Sequence, residues 1–316
     1  MNLNRVMLGI TLAATTGLIW GAGSPAYKLL GQQGVSMATV TFLRCAVGGP
    51  VLWLLFRLLA PRHLRAAPRD LIRVLLLSIL APALNYLGFM LSVVYLPVAT
   101  ANVLHYVNPF VIALGSALLL HERPTACDLI GAAVVFAGVT CSVLTPEWRF
   151  DAGISIPGLL WGVLAIFGIT AQALCGRAGS GGGMSGLGFF CWSHLLGTLW
   201  IALYKTFAEG WGDMATLTPA QMGLIAIPLF GGTVLGFFAF YAALQYVPAP
   251  TVTLLTSMEV PSALLFTALV LGARPTAPQT LGCVLILAAI ALPAYQDYTV
   301  RAEVARSLYE TTALRD

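Results

Sequence analysis

One carboxylate stands in the middle of a long apolar stretch, where a charged group is costly. Glu259 lies within residues 251–271, and a charge at the centre of a membrane helix costs about 2.5–3.5 kcal/mol on insertion scales. Thr256 and Ser262 stand three residues away on either side, so all three share one helix face. Glu259 therefore either lines a polar path, where it holds an ammonium group or exchanges a proton, or is a protonated acid hydrogen-bonded to a neighbouring helix.

A second polar stripe occurs in the apolar stretch 98–120. Its members are three or four residues apart and share one helix face: Asn102, His105, Tyr106 and Pro109. Asn108 stands beside them. An imidazole next to amides and a phenol can bind a zwitterion or relay a proton. The alternative is a packed histidine in a satisfied network between helices.

Arg44 is a third polar group inside an apolar stretch. It stands about eight residues into the stretch 37–59, which corresponds to a depth of about 12 Å in a helix. Its guanidinium either reaches outward to the membrane surface along its stem or has a carboxylate or carbonyl partner at a cavity wall. His194, in the corresponding region of the stretch 186–207, is a further candidate.

Aromatic and amide side chains complete the candidate site. Trp20 and Trp161 lie well inside their apolar stretches, so an interfacial belt does not explain them; they either line a cavity or pack helices together. Asn85, Tyr86 and Tyr241 are additional candidates. This mixture is typical of a site for an amphipathic solute with an apolar or aromatic part, and it carries too little charge for an inorganic ion path.

The composition requires these residues to be positioned by membrane helices. Of the 316 residues, 59% are hydrophobic and only 9% are charged, whereas a soluble domain carries about 25% charged residues. So few charges cannot cover the surface of a water-soluble protein of this length. Soluble enzymes, nucleic-acid-binding proteins and disordered proteins are therefore excluded, and a polytopic membrane protein remains.

Ten apolar windows are long enough to cross about 30 Å of hydrocarbon. They are residues 7–29, 37–59, 71–93, 98–120, 127–145, 155–175, 186–207, 220–244, 251–271 and 278–295. The windows are continuously apolar rather than alternating, which argues against a β-barrel. We therefore predict an all-α fold with ten transmembrane helices.

The orientation follows from the basic residues. With the N-terminus in the cytoplasm, eleven arginines fall on the cytoplasmic side and four Lys or Arg residues on the outer side. Both termini are then cytoplasmic, residues 297–316 form a cytoplasmic tail, and the net charge of +4 reflects topology rather than nucleic-acid binding. The six cysteines form no CxxC pair, and we predict neither a metal site nor a cofactor.

The two halves of the chain resemble each other. At an offset of 151 residues, 95–97 matches 246–248, 123–125 matches 274–276, and Gly131 matches Gly282; Pro109 and Pro261 correspond with a slip of one. The segment 17–21 is similar to 158–162, which pairs Trp20 with Trp161. Each half holds five helices, so the predicted repeats, residues 1–150 and 151–296, have inverted topology. This arrangement is typical of secondary transporters whose site lies at the midplane between the repeats.

These residues also resemble a known family. The segments 96–102, 121–125 and 131–133, together with Pro109, are similar to the EamA domain of the drug/metabolite transporter superfamily. A second copy covers about 155–295. The resemblance implies a ten-helix bacterial inner-membrane protein with two inverted repeats. Many members of that family resemble exporters of amino acids and other metabolites. Ala273 departs from the pattern because it stands where Glu122 stands in the first copy, which favours a structural role for Glu122.

The sequence thus predicts a secondary transporter that exports a small organic metabolite, with an amino acid as the leading substrate. An importer or facilitator of another small metabolite is the alternative within transport. An intramembrane enzyme would need paired acids, a metal motif or a nucleophile with its base, so we predict no enzyme activity; a channel and a receptor are further alternatives. The expected partners are a small-molecule substrate and the lipid bilayer. The sequence leaves open the substrate, the direction, the coupling to protons and the oligomeric state.

Overall fold

The computed structural model describes residues 3–150, 155–179 and 183–291, and the secondary structure of these ranges is helical throughout. Among the described residues, eight helices are long and apolar enough to span a membrane, and two apolar helices are shorter. The ten are α1 (Asn4–Gln32), α2 (Met37–Leu59), α3 (Pro68–Tyr95), α4 (Thr100–Leu120), α5 (Ala126–Ser142), α6 (Ile156–Ala178), α7 (Gly186–Ala208), α8 (Pro219–Ala243), α9 (Ala249–Leu271) and α10 (Ala277–Ala291).

The predicted all-α architecture of ten helices is confirmed, with small shifts in the helix ends. The fifth helix ends at Ser142 rather than at residue 145, because the chain turns back on itself before Arg149, where the Thr145 N–H donates to the Arg149 carbonyl (2.9 Å). Residues 151–154, where we placed the boundary between the repeats, lie outside the described residues. So do residues 292–316, which include the end of the predicted tenth span and the predicted tail.

The ends of α4 and α9 show the internal repeat in detail. Both helices are followed by a left-handed residue, His121 (φ 56°) and Gly272 (φ 65°), which stand 151 residues apart; glycine adopts this conformation without a steric cost. The next helix then begins in both cases with a threonine cap. Thr125 and Asp128 exchange hydrogen bonds at the start of α5, as Thr276 and Gln279 do at the start of α10.

The loops between α2 and α3 and between α7 and α8 are also equivalent. Each contains a short 3₁₀ turn, Pro61–Leu64 and Gly212–Thr216. Ser36, which caps α2, donates to Glu209 Oε2 (2.6 Å), and Ser185, which caps α7, hydrogen-bonds with His63 Nδ1 (2.8 Å). A serine cap of each half therefore contacts a loop of the other half, and the two contacts lie at opposite membrane faces.

The packing of α1 and α6 corrects one sequence match. A Cβ atom on Gly9 would lie 2.8 Å from Cβ of Tyr246, and one on Gly158 would lie 3.0 Å from Cβ of Tyr95. Gly9 and Gly158 are thus structural equivalents, which gives α1 and α6 an offset of 149 residues. The pairing of Trp20 with Trp161 is wrong, because the close approach of the two backbones rather than the local sequence likeness sets the register.

The helices of the two halves interleave. Helix α3 packs along α6, α2 along α7, and α1 along α8 and α9. At the end where α7 begins and α8 ends, large side chains fill the centre of the bundle; among the fully buried ones are Phe189, Phe190, Phe240 and Tyr241. The bundle is therefore packed tightly towards the predicted cytoplasmic face, whereas a hollow opens at the other end.

A buried lysine ties α7 to the loop that follows it. The side chain of Lys205 is fully buried, and its Nζ lies 2.9 Å from Asp213 Oδ1 and 3.4 Å from Glu209 Oε2. Thr39 of α2 donates a further hydrogen bond to Asp213. Partial burial alone would raise the pKa of Asp213, but the hydrogen bonds from Thr39 and Lys205 and the lysine charge outweigh it and hold that pKa below its ordinary value.

We expect this cluster to stabilise the protein above about pH 4. A carboxylate with a lowered pKa contributes stability above its unfolded pKa of about 3.9 and loses it as the pH falls through the folded value. Asp213→Asn should lower the melting temperature in detergent at pH 7 by about 2–4 °C, because the buried Lys205 then keeps only its longer ion pair with Glu209. Equal shifts at pH 7 and at pH 3, measured by scanning fluorimetry, would contradict this assignment; Glu147→Gln is the control.

Candidate functional site

A cavity of about 830 Å³ lies between the two halves. At its mouth are Lys28 near the end of α1, Val94 near the end of α3, Ser142 at the end of α5 and Gln279 near the start of α10. These helix ends all belong to the face that the basic residues predict to be outer. Trp20, Tyr106 and Glu259 line both this cavity and a smaller one beneath it, so they form the floor.

Glu259 stands at a break in α9. The first segment, Ala249–Thr256, ends in a tight turn in which the Met258 N–H donates to the Leu255 carbonyl (3.2 Å), and Glu259 begins the second segment. Pro261 follows within the first turn, as expected for a residue that cannot continue the hydrogen-bond ladder. The carboxylate therefore sits at the N-terminal end of a half-helix, where backbone N–H groups point towards the cavity.

Helix α4 is broken in the same way. Its first segment ends at His105, the Val107 N–H donates to the Leu104 carbonyl (3.2 Å), and the second segment begins at Asn108. This turn is related to the turn in α9 by the offset of 151. Two broken helices that face each other near the midplane are the arrangement found at the binding sites of many secondary transporters.

Two glycines let α1 approach the break in α9. A Cβ atom on Gly17 would lie 2.5 Å from the Thr256 carbonyl oxygen, and one on Gly21 would overlap Ser262 Oγ. Ser262 in turn donates to the Gly17 carbonyl (3.1 Å). The small residues therefore hold the backbone of α1 against the segment that carries Glu259, in the manner of close helix pairs in membranes.

Arg44 faces the cavity from α2. Only 6% of its surface is exposed, so its side chain does not reach outward to the membrane surface. Its Nε donates to Thr233 Oγ1 (2.9 Å), and its guanidinium lies over the rings of Tyr86 (4.6 Å) and Tyr27 (5.8 Å). Arg44 therefore lies at a cavity wall, but its hydrogen-bond partner is a threonine hydroxyl rather than the expected carboxylate or carbonyl.

The cavity thus presents opposite charges that do not pair with each other. Among the described residues, Glu259 makes no hydrogen bond or ion pair with its carboxylate, and no acid lies within 4 Å of the Arg44 guanidinium. Both groups line the same 830 Å³ space. A bound molecule with a carboxylate and an ammonium group would supply an ion-pair partner for each of the two side chains.

Tyr86 is fixed from behind by His194. The His194 Nδ1 lies 2.8 Å from the Phe190 carbonyl, which only accepts, so Nδ1 carries the proton and the neutral ring accepts at Nε2. The Tyr86 hydroxyl, 2.6 Å from that Nε2, is therefore the donor. His194 itself is fully buried and does not reach the cavity; it positions the ring on which Arg44 lies.

The structure brings most of the sequence candidates together. The cavity is lined by Trp20, Arg44, Asn85, Tyr86, Asn102, His105, Tyr106 and Glu259. Asn108 lines the smaller cavity below. Three candidates lie elsewhere: His194 behind Tyr86, Tyr241 stacked on Phe190, and Trp161 against Tyr204. Of the two alternatives for Trp161, helix packing is the one that the structure shows, because its ring contacts Tyr204 of α7.

Several residues at the site were not singled out by the sequence. Tyr27 and Thr233 hold Arg44, and the Gln172 carboxamide oxygen accepts a hydrogen bond from Asn85. An amide inside an apolar helix is itself a signal, and it would have identified Gln172. Nothing in the local pattern distinguishes Tyr27 or Thr233 from residues that face lipid or a neighbouring helix.

Opposite the mouth, the predicted cytoplasmic face is closed by polar contacts between the halves. Arg177 of α6 pairs with Glu122 after α4 (Nε to Oε1, 2.7 Å) and donates to the Leu244 carbonyl (2.8 Å). Thr251 of α9 donates to Asp128 of α5 (2.9 Å). The structure is therefore open to one side of the membrane and closed to the other.

The part of the chain that the structure describes contains no group of three His, Cys, Asp or Glu side chains that could hold a metal ion. The polar groups around the cavity offer hydrogen bonds and charge instead. Their arrangement fits recognition and release of a small organic molecule.

Comparisons with known proteins agree with this arrangement. The model of the EamA-like transporter family matches residues 7–144 and 156–294, one match for each half. The uncharacterized inner membrane transporter YicL of Salmonella typhimurium is 26% identical over 301 residues, which cover 90% of this chain and 94% of that protein. The uncharacterized inner membrane transporter YhbE of Escherichia coli K12 is 27% identical over 171 residues, about half of each chain.

A solved structure, described as "Crystal structure of protein", has the same fold. The match covers 95% of this chain and 99% of the solved one, with a TM-score of 0.73 at 18% identity. At this identity the likeness establishes the architecture alone.

Proposed function

Because the chain belongs to the EamA-like transporter family, which its two family matches establish, we propose that it exports a small zwitterionic metabolite, an amino acid, across the bacterial inner membrane. The observation that carries the substrate class is the pair of side chains of opposite charge, Arg44 and Glu259, that share one cavity without forming an ion pair among the described residues. A substrate carboxylate would take the free N–H groups of Arg44, and its ammonium group would take Glu259.

The size and lining of the cavity support an amino acid with an apolar or aromatic side chain. Sites for small organic molecules enclose about 300–1,000 Å³ and are mostly apolar with a few placed polar groups. Here Trp20, Phe89, Tyr106 and Phe237 supply aromatic surface around the charges. These rings can bury a substrate side chain and lie over its ammonium group.

Alternating access fits the inverted halves. The open mouth, the closed opposite face and the floor at two broken helices describe one end state of a rocking motion. Export, rather than import or facilitated passage, rests on the family resemblance. The predicted orientation places the open mouth in the periplasm and both termini in the cytoplasm.

The proposal is tested by counterflow in proteoliposomes. Proteoliposomes that contain the purified protein are loaded with one unlabelled amino acid. Uptake of labelled amino acids into them is then followed at two pH gradients of opposite sign. We expect accumulation of at least one apolar or aromatic amino acid, and no accumulation of the matching amine that lacks a carboxylate. No exchange of any amino acid by folded protein would overturn the substrate class, and passive current without exchange would indicate a channel.

Tyr106→Ala should weaken substrate binding by about tenfold. The ring of Tyr106 lines the cavity floor, and its removal takes away aromatic contact with a bound solute worth about 1–2 kcal/mol. The measurement is KM for exchange, with the yield of monomeric protein on size-exclusion chromatography as the folding control. Tyr106→Phe keeps the ring and should stay within about twofold of the natural protein; an unchanged KM in Tyr106→Ala would remove the residue from the site.

A further inference from the structure

We propose that Asn108, Ser116, Gln172 and Tyr241 line a second substrate cavity, which forms when the predicted cytoplasmic face opens. The inference rests on the proposed function, because it assumes that the protein exchanges one open face for the other. It names the residues that would line the path from the cavity floor to the predicted cytoplasmic face, which is closed in this structure.

The first observation is a set of buried polar atoms that make no well-formed hydrogen bond. Of the seven such atoms in the described residues, four are Asn108 Oδ1, Ser116 Oγ, Gln172 Nε2 and Tyr241 Oη, and the others belong to Thr100, His105 and Glu122. All four residues are at least nine-tenths buried, and each such atom costs about 1–3 kcal/mol. Native structures rarely keep such groups without a reason, and exposure to water or substrate in another state of the protein provides one.

The second observation is the place of these residues in the repeat. The offset of 151 relates Asn108 to Glu259, because each is the first residue after the break in its helix. The same offset relates Ser116 to Thr267, and both Glu259 and Thr267 line the open cavity.

The other two residues follow the same relation. The offset of 151 relates Tyr241 to Met90, and the offset of 149 found for α1 and α6 relates Gln172 to Gly23. Met90 and Gly23 also line the open cavity. All four residues are therefore counterparts of residues that the open face already exposes.

One contact on the closed face, compared with its counterpart on the open face, indicates how one face would open while the other closes. On the closed face, Thr251 donates to Asp128 (2.9 Å). Their counterparts on the open face are Thr100 and Gln279; Thr100 Oγ1 has no well-formed partner, and Gln279 lines the cavity. The same pair is thus made on one face and broken on the other, and closing the open face would bring Thr100 and Gln279 together.

A small space already marks the start of the second cavity. Beneath Trp20 lies a void of about 30 Å³, lined by Asn108, Thr253 and Ser257 on its lower side. It is large enough for about one water molecule. From there, Gln172, Ser116 and Tyr241 lead towards the ends of α6, α4 and α8, at Ala178, Leu120 and Ala243.

The chemistry of the second cavity differs from that of the first. Amide and hydroxyl groups replace the charged ones, since Asn108 stands where the other half has Glu259. Such groups offer hydrogen bonds to the carboxylate and ammonium of a zwitterion without holding either charge. The ligand class is therefore the same as in the open cavity, with weaker binding.

Single cysteines test the inference. In a background with the six native cysteines replaced by alanine, Ser116→Cys and Gln172→Cys are treated with a membrane-impermeant methanethiosulfonate reagent in inside-out and right-side-out vesicles. We expect labelling of both from the cytoplasmic side, and labelling up to about fivefold faster when Glu122→Gln weakens the closure. Thr267→Cys should react from the outer side, and Ala165→Cys, fully buried in α6, should not react.

The outcomes separate this inference from the proposed function. If Thr267→Cys reacts and the other two stay unlabelled from both sides, the second cavity is refuted, whatever the protein transports. If the two are labelled from the cytoplasmic side but no amino acid is exchanged, the inner cavity stands and the proposed substrate falls.

A variant in the natural cysteine background provides an independent check. Tyr241→Phe removes only a hydroxyl group, which contacts Gln172 and Ser193 without a well-formed hydrogen bond, and a purely structural hydroxyl would leave the exchange rate of the folded protein unchanged. We expect a melting temperature within about 2 °C of the natural one together with at least threefold slower exchange. Exchange at the natural rate in Tyr241→Phe would remove Tyr241 from the path.

Discussion

Glu259→Gln is expected to slow exchange of a zwitterionic substrate by about 100-fold. The change keeps the size and shape of the side chain but removes the charge that, in our proposal, holds the substrate ammonium group. A hydrogen bond to a charged group contributes about 1.5–3 kcal/mol, which corresponds to a factor of about 10–150. Because the carboxylate has no partner in the described protein, its loss should leave folding intact or improved.

The measurement for Glu259→Gln is initial exchange in proteoliposomes at equal protein content. Glu122→Gln is the matched control, since that acid lies outside the cavity and pairs with Arg177; its exchange should stay within about fivefold. Natural rates in Glu259→Gln would show that the carboxylate is a structural group and would leave the proposed substrate class without its main support.

Arg44→Lys is expected to raise the KM for an amino acid by about 30-fold. Lysine keeps the positive charge but cannot offer two parallel N–H groups to a carboxylate or lie flat between Tyr27 and Tyr86. The remaining charge explains why the effect should be smaller than that of Glu259→Gln. An equal loss for Arg44→Lys and for Arg73→Lys, a control with an exposed side chain on α3, would indicate a general effect on the protein.

Competition with simple analogues separates the roles of the two charges. For the natural protein, we expect an amino acid amide, which keeps the ammonium group, to compete better than the matching carboxylic acid without an amino group, because Glu259 lies at the cavity floor. In Arg44→Lys this preference should persist, and in Glu259→Gln it should disappear. Loss of the preference in both variants would show that the two residues do not divide the substrate between them.

The architecture could be predicted from the sequence because bilayer physics leaves few choices. Apolar windows of the right length, basic residues on one side and two matching sets of turns are sufficient for a ten-helix inverted repeat. The polar residues at the cavity floor, Glu259 and His105, could be found because each is too costly to place in lipid without a purpose.

The parts that the sequence predicted poorly depend on which way a side chain faces. A single helix has no periodic signal that separates a cavity from a neighbouring helix, so Trp161 and Tyr241 looked equivalent to Trp20 and Tyr86. His194 was identified as polar and buried, but its place behind Tyr86 follows only from the packing of α3 against α7. The similarity of 17–21 to 158–162 suggested one alignment of α1 with α6. The equivalent contacts of Gly9 and Gly158 show a different alignment, with an offset of 149 residues.

The ion pair between Arg177 and Glu122 on the predicted cytoplasmic face is not repeated on the outer face. The repeat relates Arg177 to Lys28 and Glu122 to Ala273, so this particular ion pair has no equivalent on the opposite face. A partly exposed ion pair of this kind contributes at most about 1 kcal/mol, enough for a population ratio of about five. We therefore expect the empty carrier to favour the state whose mouth lies at Lys28. The two open states would then be unequally populated in the absence of substrate.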